Sequence, residues 1–182
     1  TKEKNLMAKQ KEQQKKVDQL NKKIEELISK QVRTTTTLTK EQQLIAGGFE
    51  ANQGRMPWPI EKGFISGYFG KHQHPIHEHV TIENKGIYLQ TVSGADARAI
   101  YEGEVTWCAQ MNGSYAVIVQ HGNYRSVYSQ LAKIYVKQGD KLQAKQAIGQ
   151  IQTDTSEDNK TELYFQIYKD RSILNPSLWL AQ

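Results

Sequence analysis

Tyr115-Ala116-Val117-Ile118-Val119-Gln120-His121, then Gly122-Asn123, then Tyr124-Arg125-Ser126-Val127-Tyr128-Ser129-Gln130 is the stretch whose reading decides the fold. Two runs rich in Val, Ile and Tyr, joined by two residues that tolerate the left-handed backbone, read as a β-hairpin. Outward from it, the same short β-type runs recur at Phe64 to Phe69, Ile87 to Thr91, Ala97 to Ile100, Gly103 to Ala109, Lys141 to Leu142, Ala147 to Gln152 and Thr161 to Tyr168. Gly139-Asp140 marks a further turn. Many short strands at close spacing imply a mainly β fold, a sandwich or partly open barrel, in one domain that begins at about Asn52 and runs to Gln182.

Before this region the sequence changes character. From Leu6 to Gln31 it has no Gly or Pro and is dense in Lys, Gln, Glu and Leu, which predicts one long helix. Val17, Leu20, Ile24 and Leu27 repeat at spacings of three, four and three, the seam of a coiled coil, which extends backward through Gln13 and Gln10 to Leu6. Thr34 to Thr37 are β-branched and poor helix formers, so they mark a linker. Thr39 and Gln42 form a capping box for a second helix whose apolar face would be Leu44, Ile45 and Phe49, ended by Gly54, Pro57 and Pro59. The expected organisation is a coiled-coil helix at 1–33, a linker and short helix at 34–53, and a β domain at 54–182.

Charge follows the same division. Residues 1–33 hold ten Lys/Arg against five Asp/Glu, leaving fourteen against fourteen in the rest, so the net charge of +5 resides in the first helix. Its signs are interspersed at helical spacing, which points to a solvated face and not to nucleic acid. No apolar run approaches the roughly 18 residues of a membrane helix. The single Cys108 allows no internal disulfide and reads as a small buried hydrophobe in a strand. The chain opens on Thr1 without a basic, apolar leader, which suggests an internal piece of a longer protein.

Several segments in order carry a family resemblance: Gly67-Tyr68-Phe69-Gly70-Lys71 with His74-Pro75, Gly86-Ile87, Ala99 to Val105, Val117 to Tyr124, Gly139-Asp140-Lys141-Leu142 with Gln146-Ala147-Ile148-Gly149, and Asn175-Pro176-Ser177-Leu178-Trp179-Leu180. Together they resemble the LytM (lysostaphin-like peptidase) domain, of the duplicated hybrid motif fold. With the coiled coil and short helix in front, the arrangement is similar to the C-terminal part of EnvC-type murein hydrolase activators. The family's zinc and catalytic positions are substituted here. Asn84-Lys85-Gly86-Ile87-Tyr88 resembles its H-x-G-x-D segment with Asn84 for His and Tyr88 for Asp. Glu162-Leu163-Tyr164-Phe165 resembles H-L-H-F with both His replaced, and Tyr128-Ser129-Gln130-Leu131 resembles Y-x-H-L with Gln130 for His. A catalytic zinc needs about three protein ligands and an open position for water.

The resemblance therefore implies a chain that is not an enzyme and takes no cofactor or metal. It implies a periplasmic activator of N-acetylmuramoyl-L-alanine amidases in peptidoglycan remodelling and cell separation, its export signal outside this piece. Its coiled coil would be held by a membrane complex related to ABC transporters. The former zinc groove, lined by Asn84, Tyr88, Arg125, Tyr128, Gln130, Glu162 and Tyr164, would dock the amidase, and the helix from Lys40 is the candidate arm across it. Two other readings stay open. One is a residual zinc endopeptidase using His72, His74, His77 and His79 with Glu162; the other is a peptidoglycan-binding module with aromatic strands stacking on sugars.

Overall fold

The structure, a computed structural model, describes residues 2–34, 37–73, 79 and 81–182, apart from the side chains of Glu3 and Leu6. It folds as two units, Thr1–Thr36 and Thr37–Gln182. The first is a single helix, α1 (Lys2–Thr34). It is longer at both ends than the apolar seam requires, because the Lys, Glu and Gln that flank the seam are themselves good helix formers. At a rise of about 1.5 Å per residue it extends roughly 50 Å. Its last residue, Thr34, turns its hydroxyl back onto the Lys30 carbonyl at 3.0 Å, one of the carbonyls a helix end leaves without a partner. The Leu6 end of the seam lies outside the described side chains.

The second unit opens with α2 (Lys40–Ala51), started by the capping box that its sequence spells: Thr39 Oγ1 accepts from the Gln42 N–H at 3.1 Å and Gln42 Oε1 accepts from the Thr39 N–H at 3.0 Å. The strands follow as β1 (Phe64–Gly67), β2 (Gly70–Gln73), β3 (Thr81–Asn84), β4 (Ile87–Thr91), β5 (Asp96–Arg98), β6 (Gly103–Met111), β7 (Ser114–His121), β8 (Tyr124–Ile134), β9 (Lys141–Leu142), β10 (Ala147–Ile151), β11 (Thr153–Asp154), β12 (Lys160–Lys169) and β13 (Ser172–Leu174). A short 3-10 turn, Pro176–Leu178, precedes the C-terminus. The main sheet runs β1-β4-β12-β8-β7-β6-β9, with β10 joining β5 to β8; β2 and β3 make a separate hairpin. The expected mainly β architecture is thus present, with β2, β3, β11 and β13 added to it.

Strand β8 carries the turn from one layer to the next. Up to Ser129 it pairs with β12, and from Leu131 onward it pairs with β10. Between them Gln130 sits at φ 67, an unusual backbone for a residue with a Cβ. That kink lets one strand serve both layers, and the core fills the space between them. Ile87, Leu89, Val117, Val119, Tyr128, Leu163, Phe165 and Ile167 from the main sheet meet Ala97, Ile148 and Ile151 from the β5–β10 pair. Alternation along the strands sends Tyr88, Glu162, Tyr164, Gln166, Arg125 and Ser129 to the opposite face.

Helix α2 is part of this core and not a cover over the opposite face. Phe49 is fully buried, stacked on His121 at 4.8 Å and on Tyr124 at 4.7 Å, with Trp179 at 5.2 Å. Ion pairs Glu41–Lys141 and Glu50–Lys169 flank it, both between exposed side chains and so worth little. The hairpin glycine, Gly122, has φ +71, and any Cβ there would press into Ala46 and the Gln42 carbonyl. Helix and hairpin therefore dock backbone to backbone. The predicted apolar face is corrected in one respect: Leu44 is 78% exposed, because the helix turns its small residues and Phe49 inward. Cys108 is only half buried.

His121 lies under Phe49 in a hydrogen-bonded chain. Its Nδ1 is 2.7 Å from the Glu102 carbonyl, which can only accept, so the proton sits on Nδ1 and Nε2 is the acceptor toward Ser126 Oγ at 2.7 Å. Ser126 Oγ is 2.9 Å from Tyr128 Oη, and the Ile100 N–H donates to Tyr128 Oη at 3.1 Å. Burial holds the ring neutral, pulling His121 down from 6.5 to about 4 against the opposing bond to Glu102. Burial likewise pushes the Tyr128 phenol up to about 12.

Candidate functional site

The opposite face of the sheet is organised by cross-strand register. Tyr88 on β4 pairs with Tyr164 on β12, which pairs with Ser129 on β8, and one step along Glu162 pairs with Gln90. The Tyr88 and Tyr164 rings stack with centroids 4.8 Å apart at 24°, a favourable arrangement for directly opposed aromatics. Strand β1 closes over the pair at Gly67, where a Cβ would come within 2.8 Å of the Tyr88 ring. Glu162 accepts from Ser66 Oγ at 2.7 Å and lies 3.5 Å from Lys160 Nζ. Asn84 sits at the end of β3 and donates through Nδ2 to the Tyr68 carbonyl at 2.9 Å, which His72 Nε2 also approaches at 2.8 Å.

Of the seven residues expected to line a groove, Tyr88, Tyr164 and Glu162 are neighbours in adjoining rows, with Gln130 one residue beyond Ser129 in the middle row and Asn84 on the hairpin that leads into β4. Asn84, Tyr88, Gln130 and Glu162 are half-buried, whereas Tyr164 and Arg125 are buried. Arg125 lies further along β8, opposite Tyr168. Burial draws its guanidinium down and Asp170 draws it back up. Tyr128 is a correction. It is two residues from Ser126 and so shares that residue's face, where its ring meets Phe165 at 5.2 Å in the core and its hydroxyl joins the His121 chain. Of the four clustered histidines, His74 and His77 lie outside the described residues.

Sequence reasoning passed over Ser66, which fixes Glu162, and Ser129, which neighbours Tyr164. Neither has a signal in a single sequence, since serine is common in strands and turns. Ser129 Oγ is buried and meets no hydrogen-bond partner among the described residues. A buried unsatisfied hydroxyl costs about 1–3 kcal/mol. Ser129→Ala is accordingly expected to raise stability by about 1 kcal/mol, read as an increase in the urea midpoint at unchanged slope.

Comparison with known proteins shows the family and the fold. Residues 82–176, more than half of the chain, match the family model of Peptidase family M23. The chain belongs to peptidase family M23. It is 32% identical over 137 residues to the uncharacterized protein NMB1333 of Neisseria meningitidis serogroup B, a match covering 74% of this chain and 22% of that protein. The chain thus spans about a fifth of the length of this relative. Among solved structures it is similar to a chain of the SpoIIQ–SpoIIIAH pore-forming complex, with TM-score 0.59 and 25% identity over 71% of this chain and 92% of that one. It shares its fold with a zinc-containing peptidase from Vibrio cholerae, with TM-score 0.56 and 20% identity over 69% of this chain and 40% of that one.

A zinc ion such as that peptidase contains does not fit the residues here. Tyr88 and Tyr164, at two positions that the resemblance gives to ligands, stack their rings across the paired strands β4 and β12. Asn84 turns its amide nitrogen, a donor, to the Tyr68 carbonyl. Glu162 already serves Ser66 and Lys160. Among the described residues no group of three or more His, Cys, Asp or Glu is placed to hold a metal. This face of the sheet presents the half-buried Tyr88 ring, backed by the buried Tyr164, beside the Asn84 amide and the hydrogen-bonded Glu162 carboxylate.

Proposed function

We propose that this M23 chain is a non-catalytic activator of cell-wall N-acetylmuramoyl-L-alanine amidases, exported to the periplasm, and that it works in peptidoglycan remodelling and daughter-cell separation. The amidase docks on the degenerate groove, and α1 is the end of a coiled coil held by a membrane complex related to ABC transporters. The observation that carries this reading is the Tyr88–Tyr164 stack where a zinc peptidase needs ligands. Function resides in the site and not in the fold. Stacked tyrosines beside a carboxylate are residue types suited to anchoring a protein partner. The likeness to a chain of a two-protein complex supports a protein partner as well. Asn84, Tyr88, Gln130 and Glu162, half-buried, would meet that partner, with Tyr164 and Arg125 supporting them from beneath.

The test measures release of dye from labelled sacculi. The chain alone is expected to release none, and added to its cognate amidase it should raise the rate about ten-fold or more, within the usual range of coupling between two sites. Glu162→Gln, which removes the charge and keeps an acceptor for Ser66 Oγ, should cut the stimulation several-fold while leaving the unfolding midpoint nearly unchanged. Dye released by the chain alone overturns the proposal, as does full stimulation by the Glu162→Gln variant.

A further inference from the structure

A second cleft lies off the groove face and uses none of its residues. It is lined by Trp58, Ile60, Glu61, Gly63 and Arg98 and holds about 280 Å³. That is just under the range of about 300–1,000 Å³ typical of small-molecule sites, so it suits a ligand of up to about ten heavy atoms.

The walls are fixed by hydrogen bonds that leave their recognition groups unused. Arg98 closes β5, with its backbone N–H donating to the Pro59 carbonyl at 2.9 Å and its Nε donating to the Trp58 carbonyl at 2.9 Å. The plane of the guanidinium is thereby set, and its two Nη groups meet no partner among the described residues. Trp58 is held from the other side, its indole N–H donating to the Ala181 carbonyl at 2.7 Å. The ring forms an apolar wall above the buried Ile60. Gly63 turns the far wall at φ +145, where a Cβ would run into the Gln90 carbonyl and come within 2.6 Å of Ile60 Cδ1. Glu61 is exposed and has no ion-pair partner among the described residues, although Arg98 lines the same cleft.

We propose that this cleft binds a small zwitterion with a free carboxylate and a free ammonium, as an amino acid or dipeptide carries at its ends. The fixed Nη pair matches a carboxylate through two parallel hydrogen bonds, which a lysine cannot reproduce. Glu61 takes the ammonium and disfavours a phosphate dianion in the same place. The indole packs on the short aliphatic part between the charged ends. Because the walls are already pinned, little ordering is required on binding.

Titration of the full chain with alanyl-alanine, followed at the Trp58 indole N–H resonance, tests this, with the Trp107 and Trp179 indoles as internal controls. A saturable shift of the Trp58 signal alone is expected, with Kd on the order of millimolar. Arg98→Lys should weaken it about ten-fold, the loss expected of a charge-assisted pair. Glu61→Gln, at an exposed position that leaves the fold intact, should weaken alanyl-alanine several-fold and leave N-acetylalanine, which has no ammonium, unchanged. The proposal is overturned if alanyl-alanine gives no saturable shift, if inorganic phosphate shifts the signal as strongly, or if Glu61→Gln binds alanyl-alanine as the parent chain does.

Discussion

Phe49→Ala is expected to lower the unfolding free energy of the β unit by about 3–5 kcal/mol, the cost of emptying a fully buried aromatic site. Phe49 is the only α2 residue in the core cluster, and four aromatic rings surround it: Tyr101, His121, Tyr124 and Trp179. Collapse of the cavity would need α2 to move toward the hairpin, and the contact of Ala46 and the Gln42 carbonyl with Gly122 leaves no room for that. The full cavity cost is therefore expected. Urea denaturation monitored by far-UV circular dichroism measures it, and Leu44→Ala on the exposed side of the same helix serves as control, with a change within about 0.5 kcal/mol. A Phe49→Ala protein as stable as the parent would show that α2 is an appendage and not part of the core.

That helix also marks the limit of what the sequence discloses. Its start was legible because a capping box is local: Thr39 and Gln42 meet in space since they are three residues apart. Its inward side was not, because Leu44, Ile45 and Phe49 are all apolar and only tertiary contact decides which of them the hairpin receives. Small residues at Ala46, Gly47 and Gly48 were the available hint of close backbone approach. The strands split along the same line. The β7–β8 hairpin was readable from Gly122-Asn123, whereas β2 and β3 are polar, and β11 and β13 are two and three residues long, too short for any alternation to register.

The site divides in a similar way. The resemblance names Asn84, Tyr88, Gln130, Glu162 and Tyr164 residue by residue, because the family motif fixes which positions to compare. The side of the sheet could not be read so directly. Tyr128 stands two residues from Gln130 in the Y-x-Q-L segment, yet the kink at Gln130, with φ 67, breaks the alternation between them and leaves Tyr128 in the core. Strands β4 and β12 are held by their backbone ladder and by the Tyr88–Tyr164 stack across it, and the Ser66–Glu162 hydrogen bond ties β1 to β12.

The stability of the β unit is expected to fall as pH drops from about 6.5 to 4, with His121 contributing about 3 kcal/mol to that loss. The folded state holds His121 at about 4 against 6.5 for a free imidazole, because burial under Phe49 outweighs the hydrogen bond to the Glu102 carbonyl, and Arg125 adds a smaller push in the same direction as burial. Since the folded value lies below the unfolded one, the unfolded chain takes up the proton first. The contribution is fully present above 6.5, falls by about 1.4 kcal/mol for each pH decade below it, and is lost by the time pH reaches about 4. Carboxylates titrate over part of the same interval, so the measurement is a difference between the parent and His121→Gln. Glutamine keeps polar atoms near Glu102 and Ser126 but cannot take a proton. Chemical denaturation at pH 7.5, 6, 5 and 4 should show the parent's advantage over the variant shrinking steadily with acid. A constant difference across that range would mean that His121 is protonated as readily in the folded chain as in the unfolded one, and that the Glu102–His121–Ser126–Tyr128 chain does not hold a neutral ring.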